Sequence, residues 1–241
     1  MNDSHEYDRA SCAAELCECL FEARKLRESA KGDARLASRR LILREWQAAR
    51  LARTHAQLLS TPRYAQAAQF FLSDLYGAVD FSARDADMVK VLPIMTGMLP
   101  LSGMKTVLLA VEVDALSERL DAAMVAALGA RLEKGIGDED YAVAYRKVGC
   151  RDERERQIDL IEATGEALDA LARKSFVRGA LKMMRGPAHL AGLGALHEFL
   201  ERGFEAFHAM GSADEFLESV IGREKAILRA LFVGQADPFA V

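Results

Sequence analysis

The chain has 241 residues, of which 51% are apolar and 28% charged, and its formal net charge at neutral pH is −4. A chain of this length and composition can bury a full hydrophobic core and is not intrinsically disordered. Its acidic balance argues against a surface built as a whole to hold nucleic acid or an anionic membrane, because both need a dominant positive field. The polar start lacks an apolar run long enough for a signal peptide or a spanning helix, so we expect a cytoplasmic protein.

The cysteines fit that compartment. Cys12, Cys17 and Cys19 lie in the first predicted helix, and Cys150 stands alone. This spacing matches neither a disulfide framework nor the paired C-x-x-C pattern of a zinc site. Cys17 and Cys19 are two residues apart and therefore point to different sides of a helix, which disfavours a metal site there. We interpret all four as reduced thiols and predict no cofactor.

Almost the whole chain is predicted to be helical. Helix-forming residues dominate, proline is rare, and no run of alternating β-branched residues proposes a strand. The predicted helices span, in chain order, about 4–32, 33–60, 62–77, 82–98 with a kink at Pro93, 102–134, 138–148, 151–185, 188–210 and 212–234. The expected fold is all-α, a single domain of eight to ten helices over residues 1–234 with a bundle-like second half. A possible lobe boundary lies near 135–138, and residues 235–241 are expected to form a loose tail.

Several predicted helix ends carry recognisable signals. Asp33 can cap the second helix, and Thr61 followed by Pro62 opens the third. Ser82 with Asp85, and Ser212 with Glu215, have the spacing of capping boxes. The fifth long helix is apolar on nearly all sides from Met104 to Val113 and then amphipathic through Leu116, Leu120, Met124 and Leu128. This pattern predicts a central helix whose first half is buried.

The densest group of special side chains is the predicted corner between Phe70 and Asp87. Its candidate ligand-binding residues are Asp74, Tyr76, Arg84, Asp85 and Asp87. Carboxylates in the first turn of a helix are stabilised by its positive end, and an arginine can lock such a corner by pairing with an aspartate. The alternative is a polar pocket lined by Tyr76, Arg84 and one of the aspartates.

Four segments of the chain carry a family resemblance. They are FFLSDLYG, DFSARDAD, LLAVEVDALSERLD and AGLGALHEFLERGFEAFHAMGSADEFLESVIGRE. From about Arg40 onward the chain resembles an uncharacterised family of all-helical bacterial proteins, with FFL-x-DLYG as its most specific element. The resemblance implies one continuous helical unit. It brings no known activity and transfers no functional residue.

The penultimate helix offers an alternative, metal-binding site. At 100° per residue, His197, Glu201 and His208 fall within about 40° of one another. Glu205 and His208 also form a Glu-x-x-His element, as used in di-iron bundles, but those sites need a second such pair and two more glutamates. A histidine beside an apolar face is more often a satisfied interior residue. We therefore predict no metal and keep these four residues as the alternative.

Two further charge patterns are a carboxylate within an apolar stripe and a basic run that spans the second helix. Glu224 lies within an apolar helix stripe, for which we favour an ion pair with an arginine of the second helix; Glu45 poses the same question. Between Lys31 and Arg63, eight basic residues face only two acidic ones. We interpret this run as a solvated face that pairs with acidic neighbours, and the charge balance argues against nucleic-acid binding.

These patterns favour a non-enzymatic binding, regulatory or protein-interaction module, which associates with itself or with a protein partner through a helix face. The alternative is an enzyme, or a cofactor-binding or metal-binding protein, with a pocket between helices. The non-enzymatic interpretation is favoured because few residues occur in a catalytic arrangement, although helical enzymes often assemble sites from residues far apart in sequence.

Overall fold

The computed structural model describes residues 8–75, 87–92 and 101–240, and it contains no β-strand within them. Its α-helices are α1 (Arg9–Lys31), α2 (Ala34–Thr54), α3 (Ala56–Ser60), α4 (Pro62–Phe70), α5 (residues 87–92), α6 (Leu101–Leu128), α7 (Asp138–Val148), α8 (Arg151–Ala172), α9 (Ser175–Leu190), α10 (Gly194–Met210) and α11 (Asp214–Val233). A π-helical turn, Phe71–Leu75, extends α4, and a 3₁₀ turn, Gly129–Lys134, extends α6. The all-α prediction is confirmed. No described helix is long and apolar enough to cross a membrane.

Helix α6 is the central element of the fold. It packs against α1, α2, α7 and α8. Near its start, Met104, Leu108 and Val111 are buried against Cys12 and Leu16 of α1. The predicted pattern is confirmed, because the first half of α6 is buried and the residues of the apolar stripe beyond it stay buried to Leu128 at the far end. Neighbouring helices therefore pack against α6 along its whole length.

A second cluster joins the two ends of the chain. Met124 and Leu128 of α6 pack with Leu43 of α2, Tyr141 of α7 and Ile227 of α11. The cluster therefore takes residues from both sides of the segment 135–138. In the tail that was expected to be loose, the ring of Phe239 lies 5.8 Å from Trp46 and 6.1 Å from Tyr141, so this part of the tail packs on the cluster.

The second half of the chain packs as a bundle of α8, α9, α10 and α11, with α4 alongside. Ile158, Gly165 and Ala172 recur at intervals of seven and are buried on one face of α8, as packing in a bundle requires. The main aromatic cluster of this half contains Phe70, Phe204, Phe207 and Phe216.

Some predicted helix boundaries hold and others fail. Asp33 caps α2 by accepting hydrogen bonds from the backbone N–H groups of Arg35 and Leu36. The helix predicted over 33–60 breaks at His55, a buried residue whose ring is held by Glu224 of α11. Pro187 lies inside α9 and does not end a helix. Its ring is exposed, so water can reach the carbonyl group that the missing N–H leaves free.

The predicted helix 151–185 is two helices, α8 and α9, and Asp169 lies in the last turn of the first. One of its carboxylate oxygens pairs with Arg173, where α8 ends, and the other accepts a hydrogen bond from the Ala213 N–H at 3.2 Å. Asp169 thereby caps α11 from another helix. The predicted capping box at Ser212 is therefore wrong, and the Ser212 hydroxyl instead donates to Asp214 at 2.7 Å.

The charged core of the protein is built around Glu118 of α6, whose residue surface is only 3% exposed. Its carboxylate pairs with the guanidinium groups of Arg27 from α1 and of Arg40 and Arg44 from α2. Arg27 also binds Asp114 at 2.6 Å. Burial lowers the pKa of Arg40 to about 10, and the neighbouring Arg44 cation adds to the shift. One carboxylate thus fixes three helices relative to one another.

The other arginines of the basic run also face acidic partners. Arg35 and Arg39 bind Glu133, and their bonds lower the pKa of Glu133 to about 2. Arg53 pairs with Asp138 at 3.0 Å, and Arg63 pairs with Glu215 at 3.1 Å. The predicted pairing is confirmed, but the run is not a purely solvated face, because Arg40 and Arg50 are buried.

We expect Glu118→Gln to lower the free energy of unfolding by about 3 kcal/mol, because it leaves buried guanidinium groups without their counter-charge. Urea unfolding followed by circular dichroism measures the loss. The matched control is Glu45→Gln on α2, which is exposed and should change stability by less than about 0.5 kcal/mol. Equal stabilities for the two variants would contradict the central role of Glu118.

A second stability test uses two helical glycines. A Cβ atom at Gly165 of α8 would overlap the buried Leu217 side chain of α11, whereas one at Gly222 would meet no atom within 4 Å. Gly222→Ala should therefore stabilise the protein by up to about 1 kcal/mol through helix propensity. Gly165→Ala should destabilise it by about 1 kcal/mol through overpacking. Thermal unfolding compares them, and a gain from both substitutions would contradict the close α8–α11 packing.

Candidate functional site

Only part of the predicted corner falls within the described structure. Tyr76, Arg84 and Asp85 lie outside the described residues, as does the side chain of Asp74. Asp87 is buried, and its carboxylate accepts hydrogen bonds from Lys90 Nζ at 3.2 Å and from the Leu196 N–H at 3.4 Å. Since Leu196 is in the first turn of α10, Asp87 ties α5 to the positive end of that helix. A ligand-binding role for the corner remains a prediction.

Of the alternative metal residues on α10, the structure brings His197 and Glu201 together, with His197 Nε2 3.5 Å from Glu201 Oε1, but not all four. His197 and His208 are eleven residues apart, which is about 16 Å along a helix axis, too far for both to bind one ion. Glu201 forms a bidentate ion pair with Arg185, with nitrogen–oxygen distances of 2.8–3.2 Å. Glu205 pairs with Arg178 at 3.2 Å. Hydrogen bonds from Arg185 lower the pKa of Glu201. In the described part of the chain, no three His, Cys, Asp or Glu residues converge as a metal site.

The predicted ion pair of Glu224 is confirmed, and its partner is Arg50 of α2. The carboxylate accepts from Arg50 Nη1 at 2.5 Å and lies 3.0 Å from His55 Nε2. Burial alone would raise the pKa of Glu224, but Arg50 and His55 outweigh that effect and lower it. Glu45 does not share this environment, because it is exposed on α2. Glu224 therefore joins α11 to α2 as a structural contact.

Glu224→Gln should lower the free energy of unfolding by about 2 kcal/mol at pH 6, because the buried Arg50 loses its counter-charge. A carboxylate with a depressed folded pKa stabilises above its unfolded pKa of about 4.3, and this contribution disappears as pH falls through the folded value. The gap between the native chain and Glu224→Gln should therefore shrink below about pH 4.3 in urea unfolding. Glu166→Gln, at an exposed position, should show no gap, and a constant gap for Glu224→Gln would contradict the assignment.

Helix α9 leaves an apolar face exposed. On its inner side the partly exposed Arg178 and Arg185 reach across to Glu205 and Glu201 of α10. On the same side, Val177 and Leu181 pack on the edge of the aromatic cluster. At 100° per residue, the opposite face of the helix carries Phe176, Met183, Pro187 and Leu190 within about 60°. The apolar face of this helix thus points to solvent.

We define the apolar stripe of α9 as Phe176, Gly179, Ala180, Met183, Pro187 and Leu190. All six residues are exposed. The three large members are 71% (Phe176), 75% (Met183) and 93% (Leu190) exposed. Met184 extends the surface on one flank and is 51% exposed. A soluble protein rarely leaves so many large apolar side chains uncovered on one helix face, and such a patch is typical of an interaction site.

An open groove of about 810 Å³ lies on the opposite side of α9, between α9, α10 and α4. Phe70, Leu181 and Phe204 contribute apolar surface to it. Its charged lining includes the Arg178–Glu205 and Arg185–Glu201 pairs described above. Because these groups neutralise each other, they are explained as the attachment of α9 to α10 and point to no separate chemistry.

Sequence reasoning missed the stripe for one identifiable reason. Ending the predicted helix before Gly186 and Pro187 separated Leu190 from Phe176 and Met183. The signal was present, because these three large residues recur at intervals of seven in an otherwise helical pattern. The outward orientation could not be read from that pattern, since it depends on contacts with other helices.

Comparison with known proteins gives a family and no function. A family model described as Domain of unknown function (DUF8198) matches residues 26–238. No curated protein and no solved structure matches the chain. Since the family match covers most of the chain, the chain belongs to that family.

Proposed function

We propose that this member of the DUF8198 family is a non-enzymatic binding module that docks a protein partner on the apolar stripe of α9. The observation that supports the proposal most directly is the exposure of the large apolar residues of this helix. Val177 and Leu181 hold the other side of α9 on the protein, while Phe176, Met183 and Leu190 are left in water. An exposed apolar face at regular helical spacing is the form in which one helix recognises another.

The size of the stripe suits a binding role. Its large residues leave on the order of 600 Å² of apolar surface exposed, which is at the upper end for the largest patch of a monomeric protein. Covering a large apolar side chain contributes about 1.5–3 kcal/mol, so a partner that buries all three gains enough to offset the cost of association.

The two ion pairs below α9 also support the proposal. Each joins an arginine of α9 to a glutamate of α10, and they are seven residues apart along α9. They attach α9 to α10 at two points and so reduce the conformational freedom that binding would otherwise cost. They also neutralise the nearest positive charges, which favours an apolar contact over binding to nucleic acid.

We also place this module in the cytoplasm. Cys17 and Cys150 are exposed and form no disulfide. Exposed unpaired thiols are usual where the surroundings are reducing and uncommon in secreted proteins.

The proposal predicts covalent capture at the stripe. A photoreactive benzoylphenylalanine in place of Met183 should give one discrete cross-linked species in cells, because the partner lies directly on this side chain. The matched control carries the same group at Val143 of α7, which is also exposed at 52%. Gel mobility and mass spectrometry read the product.

Adding Leu190→Glu to the Met183 probe should abolish the species, since a carboxylate in the interface disfavours docking without disturbing a buried contact. Absence of any product at Met183, or an equal yield from Val143, would contradict the proposed docking site.

A further inference from the structure

We infer that the partner on the apolar stripe is a second copy of this chain, paired through antiparallel α9 helices about a two-fold axis at Met183. This inference rests on the proposed function, because it uses the same surface and adds the identity and orientation of the partner. Four observations support it: the symmetry of the stripe, the open space beside its glycines, the placement of charges and the available area.

Residues of similar size lie at equal distances before and after Met183 along the stripe. Phe176 lies seven residues before Met183, and Leu190 lies seven residues after it. The small pair Gly179–Ala180 lies four and three residues before the centre, and Gly186–Pro187 lies three and four residues after it. A two-fold interface places each residue opposite its counterpart in the reversed order, so it requires a surface that is self-complementary in this way.

Antiparallel pairing turns that symmetry into layers of matched size. Met183 meets its own copy at the centre, and each Phe176 lies opposite Leu190 of the second copy. Gly179 lies opposite Pro187 and Ala180 opposite Gly186, so the layers between the large residues contain only small ones. A Cβ atom at Gly179 or Gly186 would meet no atom within 4 Å of its own chain, so nothing blocks close approach there. Recurrence at intervals of seven is the pattern by which paired helices interlock.

The charges of α9 leave the pairing face clear. Arg178 and Arg185 are neutralised on the opposite side of the helix. Lys182 is the nearest unneutralised cation; it lies about 100° around the helix from Met183, and no described residue pairs with it. Its long side chain can keep the ammonium group in water at the edge of an interface. The two copies can therefore meet without burying a charge.

The exposed area is adequate for a stable dimer. Two stripes of on the order of 600 Å² bury about 1,200 Å² in total, which is the lower end of the range for specific interfaces. Met184 lies outside the stripe on the same helix and adds apolar surface at its edge. A different protein could use the same area, but only a second copy explains why the stripe is symmetric about Met183.

Sedimentation velocity tests the assembly directly. The native chain should sediment as a dimer at micromolar concentration, and Met183→Lys should sediment as a monomer, because two ammonium groups would meet at the axis. Val143→Lys, the matched control on α7, should remain a dimer. Circular dichroism confirms that both variants keep their helical content. A native chain that is monomeric at every concentration, or a Met183→Lys variant that stays dimeric, overturns the inference.

Cysteine cross-linking tests the orientation. In a background of Cys17→Ser, Cys19→Ser and Cys150→Ser, the Met183→Cys chain should form an intermolecular disulfide on mild oxidation. Phe176→Cys and Leu190→Cys should cross-link when the two chains are mixed. Neither should cross-link with itself, since its own copy lies about 21 Å away along the helix. A disulfide between two Phe176→Cys chains indicates parallel pairing and overturns the two-fold arrangement.

The photo-cross-linking experiment separates this inference from the proposed function. A product with twice the mass of the chain supports both. A product that contains a different protein, with a monomeric chain in sedimentation, supports docking on α9 and overturns self-pairing. Absence of any product, with a monomeric chain, overturns both.

Discussion

The carboxylate of Glu118 imposes the strictest constraint on this protein. A charge buried in a helical core is tolerated only where opposite charges surround it, and Arg27, Arg40 and Arg44 meet that requirement from two other helices. The relative positions of α1, α2 and α6 are therefore fixed by electrostatics as well as by apolar packing. The same logic extends outward along α2, where Arg50 reaches Glu224 and so fixes α11. Charge pairing in this fold selects which helices are neighbours.

The sequence predicted best those features that depend on nearby residues. Asp33 caps the helix that follows it, and Gly211 and Gly234, both with positive φ, end α10 and α11 as expected. The helix class of the whole chain follows from composition in the same way. Features that depend on a distant partner were predicted poorly: the backbone N–H of Ala213 at the start of α11 is bonded by Asp169, 44 residues earlier in the chain. The ion pair of Glu224 was predicted correctly although its partner is distant in sequence, because a carboxylate within an apolar stripe requires a neighbouring cation.

The candidate interaction surface illustrates the same division. An amphipathic helix around Met183 can be read from the spacing of its large residues, but its orientation cannot. The orientation depends on contacts with other helices, since Val177 and Leu181 pack on the edge of the aromatic cluster and Arg178 and Arg185 pair with Glu205 and Glu201 of α10. These contacts hold one side of α9 on the protein and leave the stripe on the other side.

The separation in sequence between Glu118 and its partners affects the order in which the fold can form. Arg44 precedes Glu118 by 74 residues, Arg40 by 78 and Arg27 by 91. A chain synthesised from its amino end exposes α1 and α2 with three hydrated cations well before α6 exists to receive them. Closing such long loops is slow relative to forming the helices themselves. We therefore expect α1 and α2 to reach their final packing during synthesis only after α6 has left the ribosome.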